Sequence, residues 1–217
     1  LVTGENLPEG FEYGLLEIVG ILSRLGGPEK EITSIYWSKG ISRRGQRNRI
    51  EEKLLYGKKT LLEKMILKNG DELEFEILPQ AFFQVNTFQA EILYSQTLGF
   101  ALNRPQRVVF DLFCGTGTIG LFMAKHVGQV LGIELNEDAI RAARANAEKN
   151  RIFNVDFYAG DVGKLLHSMK ERPSLIIVDP PRAGLTEKII GKMNEFGADQ
   201  IVYVSCNPAT LARDCAW

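Results

Sequence analysis

A cysteine stands in Ser205-Cys206-Asn207-Pro208, directly after the apolar run Gln200-Ile201-Val202-Tyr203-Val204. The run is β-branched and aromatic, so it reads as a buried strand. Pro208 has no N–H to offer a sheet, so the chain must leave the strand there. The thiol is thus presented at the carboxyl end of a strand, where open α/β sheets hold their ligands. Set between polar neighbours, Cys206 is a candidate nucleophile, whereas a structural cysteine is ordinarily buried. Cys114 lies inside a glycine turn and reads as packing, and Cys215 has no chemical context. A second apolar run, Leu175-Ile176-Ile177-Val178, ends in Asp179-Pro180-Pro181-Arg182. Proline fixes its own φ and restricts the residue before it, so Asp179 is held on a rigid, extended exit.

Gly115-x-Gly117-x-x-Gly120 follows a strand pattern and opens a helix pattern, the context of a nucleotide-binding turn. Glu134 ends the next strand, 19 residues after Gly115, where a carboxylate can accept both ribose hydroxyls of an adenosine cofactor. Asp161 follows the strand after that. Nicotinamide oxidoreductases and S-adenosylmethionine methyltransferases both use such an arrangement, so this signal selects an adenosine cofactor without selecting which.

These residues need a frame that gathers strand ends. From residue 107 onward the pattern is strand, loop, helix, repeated. Strands are expected at 108–113, 130–135, 155–158, 175–178 and 200–205. Helices are expected from the glycine turn to about 126, at 137–150 behind an Asn136 cap, and at 186–196. Such alternation means an α/β fold with a mostly parallel sheet and helices on both faces. Upstream, 17–25 has helical spacing, while 31–37 and 71–78 alternate as strands do. Residues 88–102 read as a helix that Asn86 or Thr87 can cap. Between Lys39 and Lys64, nine Lys or Arg face three Glu, a local excess of six positive charges. That stretch reads either as a solvated hairpin loop or as a phosphate-contacting surface, with Arg43, Arg44, Arg47 and Arg49 as the candidates. The organisation expected is a small α+β unit, 1–78, followed by the cofactor-binding domain, 79–217.

Composition narrows the classes. The chain is 45% hydrophobic and 24% charged with a formal net charge of -1, so nucleic-acid binding would have to come from a local patch. No apolar run approaches the ~20 residues of a membrane span. Three cysteines without paired spacing argue against a disulfide framework, suit a reducing compartment and are too few for a cysteine-rich metal site. A cytoplasmic monomer without metal or membrane partner is expected. The chain begins at Leu1 rather than Met and reads as part of a longer protein.

Four stretches, Phe82-Phe83-Gln84-Val85-Asn86, Asp111-Leu112-Phe113-Cys114-Gly115-Thr116-Gly117, Asp179-Pro180-Pro181-Arg182-Ala183-Gly184-Leu185 and Ser205-Cys206-Asn207-Pro208, occur in this order. Over residues 79–214 the chain thereby resembles the RNA 5-methyluridine methyltransferases, which methylate carbon 5 of uracil in tRNA or rRNA. The resemblance implies a Rossmann-like S-adenosylmethionine methyltransferase. It implies Cys206 as nucleophile and Gln84, Phe113, Glu134, Asp161 and Asp179 along the S-adenosylmethionine site, beside the turn of Gly115 and Gly117, with Asp179 also near the target base. Thr118 sits where some members place an Asn that touches the cofactor. RNA would be the substrate, its target uracil unstacked to expose both faces. The family's general base is a glutamate in a later segment, expected here beyond Trp217, so the domain reads as truncated at its C-terminal end. On that reading the chain binds the cofactor and either turns over slowly or stalls at the covalent RNA adduct. Two alternatives remain at this stage. A nicotinamide oxidoreductase leaves Asp179-Pro180-Pro181 and Cys206 without a task. A non-catalytic RNA- and S-adenosylmethionine-binding remnant fits the missing base and the basic segment.

Overall fold

The computed structural model describes residues 2–3, 7–25, 32–41, 49–79 and 81–217, with only the backbone of Val2 and Arg49. The chain divides into two compact units, Leu1–Leu61 and Leu62–Trp217.

In the first unit, β1 (Val2–Thr3), α1 (Phe11–Leu22), β2 (Ser34–Ile41) and β3 (Arg49–Gly57) form a three-stranded sheet with one helix. β2 is central, parallel to β1 and antiparallel to β3. Trp37 anchors this sheet by stacking tilted against Phe11 at 5.7 Å and donating its indole N–H to Thr3 Oγ1 at 2.9 Å. Of the basic stretch, residues 39–41, 49–57 and 61–64 are strand, and 42–48 lie outside the described residues.

The second unit begins with a two-stranded hairpin, β4 (Leu61–Ile66) and β5 (Glu72–Ile77), and α2 (Thr87–Ala101). The alternating core follows as β6 (Val108–Leu112), α3 (Thr118–Ala124), β7 (Gln129–Glu134), α4 (Glu137–Lys149), β8 (Val155–Ala159), α5 (Val162–Leu165), β9 (Leu175–Val178), α6 (Glu187–Phe196), β10 (Gln200–Tyr203) and α7 (Pro208–Cys215). The sheet order is β10-β9-β6-β7-β8, and every pair is parallel. β6 sits in the middle, and the chain crosses from one side of it to the other between β8 and β9. This is a Rossmann-like sheet, and its switch point lies between the carboxyl ends of β6 and β9.

Strand side chains alternate between two cores. Val109, Val130, Leu175, Ile177 and Val202 pack with α2, α3, α4 and the hairpin. Phe110, Leu112, Leu131, Ile133, Ile176 and Val178 pack with α5 and α6. Counting by twos along each strand places Asp111, Glu134 and Asp179 on the first of these faces.

The hairpin belongs to the second unit because helices complete its edges, which moves the division ahead of the expected 78/79 boundary. Along β5, Asn150 accepts from the Glu74 N–H at 2.9 Å and donates to the Glu74 carbonyl at 2.7 Å. Asn146 does the same at Glu76, at 2.7 and 3.4 Å. Along β4, Glu91 and Ser95 of α2 accept from the N–H groups of Ile66 at 2.7 Å and Lys68 at 3.0 Å. Residues four apart on a helix rise about 6 Å and residues two apart on a strand about 6.7 Å, so helical side chains can match a strand edge. Met65, Leu67, Leu73 and Phe75 then bury against α2 and α3. Removing the Asn146 side chain, which is 1% exposed, with Asn146→Ala is expected to cost about 1–3 kcal/mol. Asn150→Ala should cost less, since water can reach Glu74. Urea unfolding with amide exchange at Glu74 and Glu76 checks this; unchanged exchange at Glu76 in Asn146→Ala contradicts it.

Candidate active site

Parallel register aligns the strand ends. Leu112 lies opposite Ile133 on one side and Val178 on the other. The next residues, Phe113, Glu134 and Asp179, therefore stand in one row at the carboxyl edge of the sheet.

The turn after β6 is tightly specified. Phe113 adopts φ 62, a left-handed conformation costly for a bulky residue, and redirects the chain toward α3. Gly117 has φ 75, and a Cβ there would meet the Phe157 ring at 2.5 Å. Only glycine permits both the turn and that helix-to-sheet contact. Gly115 donates its N–H to Glu134 Oε2 at 3.3 Å, and Asn136 donates to Oε1 at 2.8 Å. The turn and the Glu134 carboxylate are thereby fixed to each other, and each carboxylate oxygen keeps acceptor capacity toward the cleft. Thr118 is buried at the start of α3, its hydroxyl 3.2 Å from that of Thr116.

Asp161 follows β8 and caps α5, accepting from the Lys164 N–H at 2.9 Å. Gly160 ties that corner to β7 by donating to the Glu134 carbonyl at 2.8 Å. Gln84 is half-buried beside the Tyr94 hydroxyl, and its neighbour Phe83 stacks against Phe75 at 5.7 Å. The hairpin core thus supports the Gln84 segment. Gln80 lies outside the described residues.

Asp111 and Tyr94 are site residues that the pattern reading passed over. Asp111 is 1% exposed, and neither carboxylate oxygen has a hydrogen-bond partner among the described residues. Burial, then the nearby charge of Asp179, push its carboxyl up to about 7, which the adjoining Gly120 backbone only partly offsets. Burial pushes Asp179 up to about 6. The Tyr94 hydroxyl lies beside Gln84 and Thr118. Burial, then the charges of Asp179 and Asp111, hold its phenol well above the usual range. A carboxylate inside the run Val108-Val109-Phe110-Asp111-Leu112 is itself a signal, because a buried charge without a partner is expensive. Tyr94 carries no such mark in the sequence.

Cys206 is exposed, on the turn between β10 and α7. Its neighbours reach the Asp179 loop: Asn207 Nδ2 donates to the Arg182 carbonyl at 3.3 Å, and Thr210 Oγ1 donates to it at 3.4 Å. Asn207 also caps α7, with Pro208 in its first turn. Gln84, Phe113, Gly115, Gly117, Thr118, Glu134 and Asp179 therefore gather around the ends of β6, β7 and β9. Asp161 extends this row past β7, and Cys206 extends it past β9. Arg43, Arg44 and Arg47 lie outside the described residues, and Arg49 opens β3. Among the described residues no group of three or more His, Cys, Asp or Glu could hold a metal ion, and no helix is long and apolar enough to cross a membrane.

An acidic site, with Glu134 and Asp179 at the strand ends and a buried Asp111 whose oxygens have no hydrogen-bond partner among the described residues, suits a cationic adenosine compound. It disfavours a dinucleotide, whose pyrophosphate would meet like charge. A Rossmann-like sheet with this site defines an adenosine-cofactor transferase. The chain matches the family model of the methyltransferase domain over residues 103–215 and belongs to that family. Membership implies S-adenosylmethionine, a sulfonium that also carries an ammonium group, as the cofactor, which the acidic cleft fits; the nicotinamide alternative falls away. The chain is 43% identical over 175 residues to an uncharacterized RNA methyltransferase of Protochlamydia amoebophila, covering 77% of this chain and 40% of that protein. It is 44% identical over 161 residues to another from Caldanaerobacter subterraneus, covering 74% and 35%. The chain thus spans well under half the length of these relatives. Among solved structures, the tRNA (uracil-54, C5)-methyltransferase of Pyrococcus abyssi, in complex with S-adenosyl-L-homocysteine, superposes with a TM-score of 0.69 at 32% identity. That match covers 99% of this chain and 48% of the other.

The buried carboxyl gives a pH signature. Asp111 ionises near 3.8 in the unfolded chain and near 7 in the ligand-free fold. Across that window the folded state holds the extra proton, so stability falls as pH rises. Asp111→Asn removes this slope, at most about 1.4 kcal/mol per pH unit. In thermal unfolding of the ligand-free protein, the variant should gain on wild type from pH 4 to 7 and hold its lead above. Parallel profiles would mean that Asp111 is solvated.

Proposed function

We propose that this chain is the catalytic core of an RNA methyltransferase that methylates carbon 5 of a uridine through a covalent bond from Cys206 to carbon 6. The observation that carries the reading is an exposed thiol on a turn hydrogen-bonded to the loop of Asp179, at the open edge of a methyltransferase cleft. Two further facts support it: relatives named as RNA methyltransferases and a structural neighbour whose name specifies uracil C5.

The chemistry calls for such a thiol. Carbon 5 of uracil is a weak nucleophile. The Cys206 sulfur, as thiolate, donates an electron pair to carbon 6, and the ring electrons move onto the carbon 4 oxygen as an enolate. Carbon 5 gains carbanion character and takes the methyl group that the bound sulfonium supplies. A base then removes the proton from carbon 5, the double bond reforms, and the sulfur leaves with its electron pair. Covalent catalysis divides one difficult step into easier ones, and a thiolate is both a good nucleophile and a competent leaving group.

In this reading Glu134 accepts the ribose hydroxyls and Asp161 borders the adenine. Gly115, Gly117, Phe113, Gln84 and Thr118 line the cofactor, with Asp111 facing its cationic end. Asp179 stands between the cofactor and the base. Arg43, Arg44, Arg47 and Arg49 contact the phosphates of a tRNA or rRNA whose target base is unstacked.

RNA bearing 5-fluorouridine tests the mechanism, because carbon 5 then has no proton to lose and the adduct cannot collapse. With S-adenosylmethionine present, wild type should give a protein–RNA band that survives denaturation, and Cys206→Ala should reduce it to background. A band that persists in Cys206→Ala, or none in wild type, defeats the reading.

A further inference from the structure

The chain after Cys206 contains one carboxylate, Asp214. It is 5% exposed, and both of its oxygens are occupied. Oδ2 accepts from the Leu185 N–H at 2.7 Å and the Tyr203 hydroxyl at 2.6 Å. Oδ1 accepts from Arg213 Nε at 2.9 Å and Nη2 at 2.6 Å. The same Arg213 Nη2 donates to the carbonyls of Ala183 at 2.9 Å and Leu185 at 3.1 Å. One buried carboxylate therefore joins the last residue of β10, the last turn of α7 and the loop that begins at Asp179.

The loop is shaped to receive it. Gly184 has φ 76, and a Cβ there would lie 2.5 Å from Asp214 Oδ2 and 2.7 Å from Arg213 Nη2. No other residue type permits both that backbone and that approach. Burial opposes the Asp214 charge, but the hydrogen bonds from Leu185, Tyr203 and Arg213 outweigh it and hold the carboxyl below the usual aspartate range. A carboxylate with every partner satisfied is a poor proton acceptor and a good fixed point.

We infer that Asp214 is a positioning residue: by clamping the 182–185 loop to β10 and α7, it sets the placement of Asp179 relative to Cys206. This rests on the reading of Cys206 as nucleophile. Cys206 lies between two clamped points, Tyr203 before it and α7 after it. The loop leaves Asp179 through two prolines, so a displacement at Leu185 is passed back along a stiff path. Local displacement of this kind lowers rate without weakening cofactor binding.

Asp214→Asn keeps the side-chain shape but loses the ion pair with Arg213, and Tyr203→Phe removes one donor. In both, amide exchange should accelerate in 182–185 and 204–207 and stay unchanged in α3 and α4. S-adenosyl-L-homocysteine affinity should remain within about 2-fold, and the unfolding midpoint within about 4 °C. The rate of adduct formation on 5-fluorouridine RNA should fall at least 10-fold in Asp214→Asn and less in Tyr203→Phe. Exchange unchanged in 182–185, or exchange accelerated throughout with affinity and midpoint falling together, overturns the inference. So does a normal adduct rate in Asp214→Asn once the loop has loosened. If wild type forms no adduct, the uridine reading fails, and the exchange pattern decides the clamp by itself.

Discussion

A buried carboxyl whose oxygens find no side-chain partner among the described residues sits at the centre of this sheet. Asp111 occupies the middle strand, on the face that also carries Glu134 and Asp179. Charges of one sign gathered in a dry cleft are costly. Gly120 leaves room for the Asp111 side chain, and the Tyr94 hydroxyl lies beside Gln84 and Thr118 rather than on the acid. Burial and the Asp179 charge hold the Asp111 carboxyl up to about 7, so ionising it costs the fold stability. Local destabilisation at a site that awaits a partner is a common expense of function.

The succession of strands and helices from residue 107 onward was legible because apolar runs and glycine turns determine it directly. β9 runs over the expected 175–178, and α4 begins behind the Asn136 cap. The row Phe113, Glu134, Asp179 was legible too, since each ends an apolar run. What escaped was whatever depends on three-dimensional neighbours. Tyr94 is an ordinary apolar-face residue of α2 until its hydroxyl is seen beside Gln84. The hairpin could not be assigned to the second unit, because the asparagines that hold it lie some 70 residues away and look like surface polar groups of a helix. Asp214 carries no motif of its own, and its importance arises only from what it accepts.

Cys206 owes its placement to two kinds of restraint. Parallel pairing with β9 brings β10 to the right depth. Side chains of α7 then hold the turn sideways against the proline-rich loop. Backbone pairing is insensitive to side-chain identity, whereas the lateral contacts depend on Asn207, Thr210, Arg213 and Asp214. The depth of the thiol is therefore robust to substitution, and its lateral aim is specific to these side chains.

The hairpin edges have a mechanical meaning. β4 is joined to α2 and β5 to α4, so the two strands bridge the helices that flank the two ends of the cofactor cleft. α2 brings Tyr94, and α4 starts three residues after Glu134. Any change in the distance between these helices must either shear the β4–β5 ladder or break a side-chain pair. The small sheet works as a tie-bar, holding the width of the cleft while taking no part in lining it.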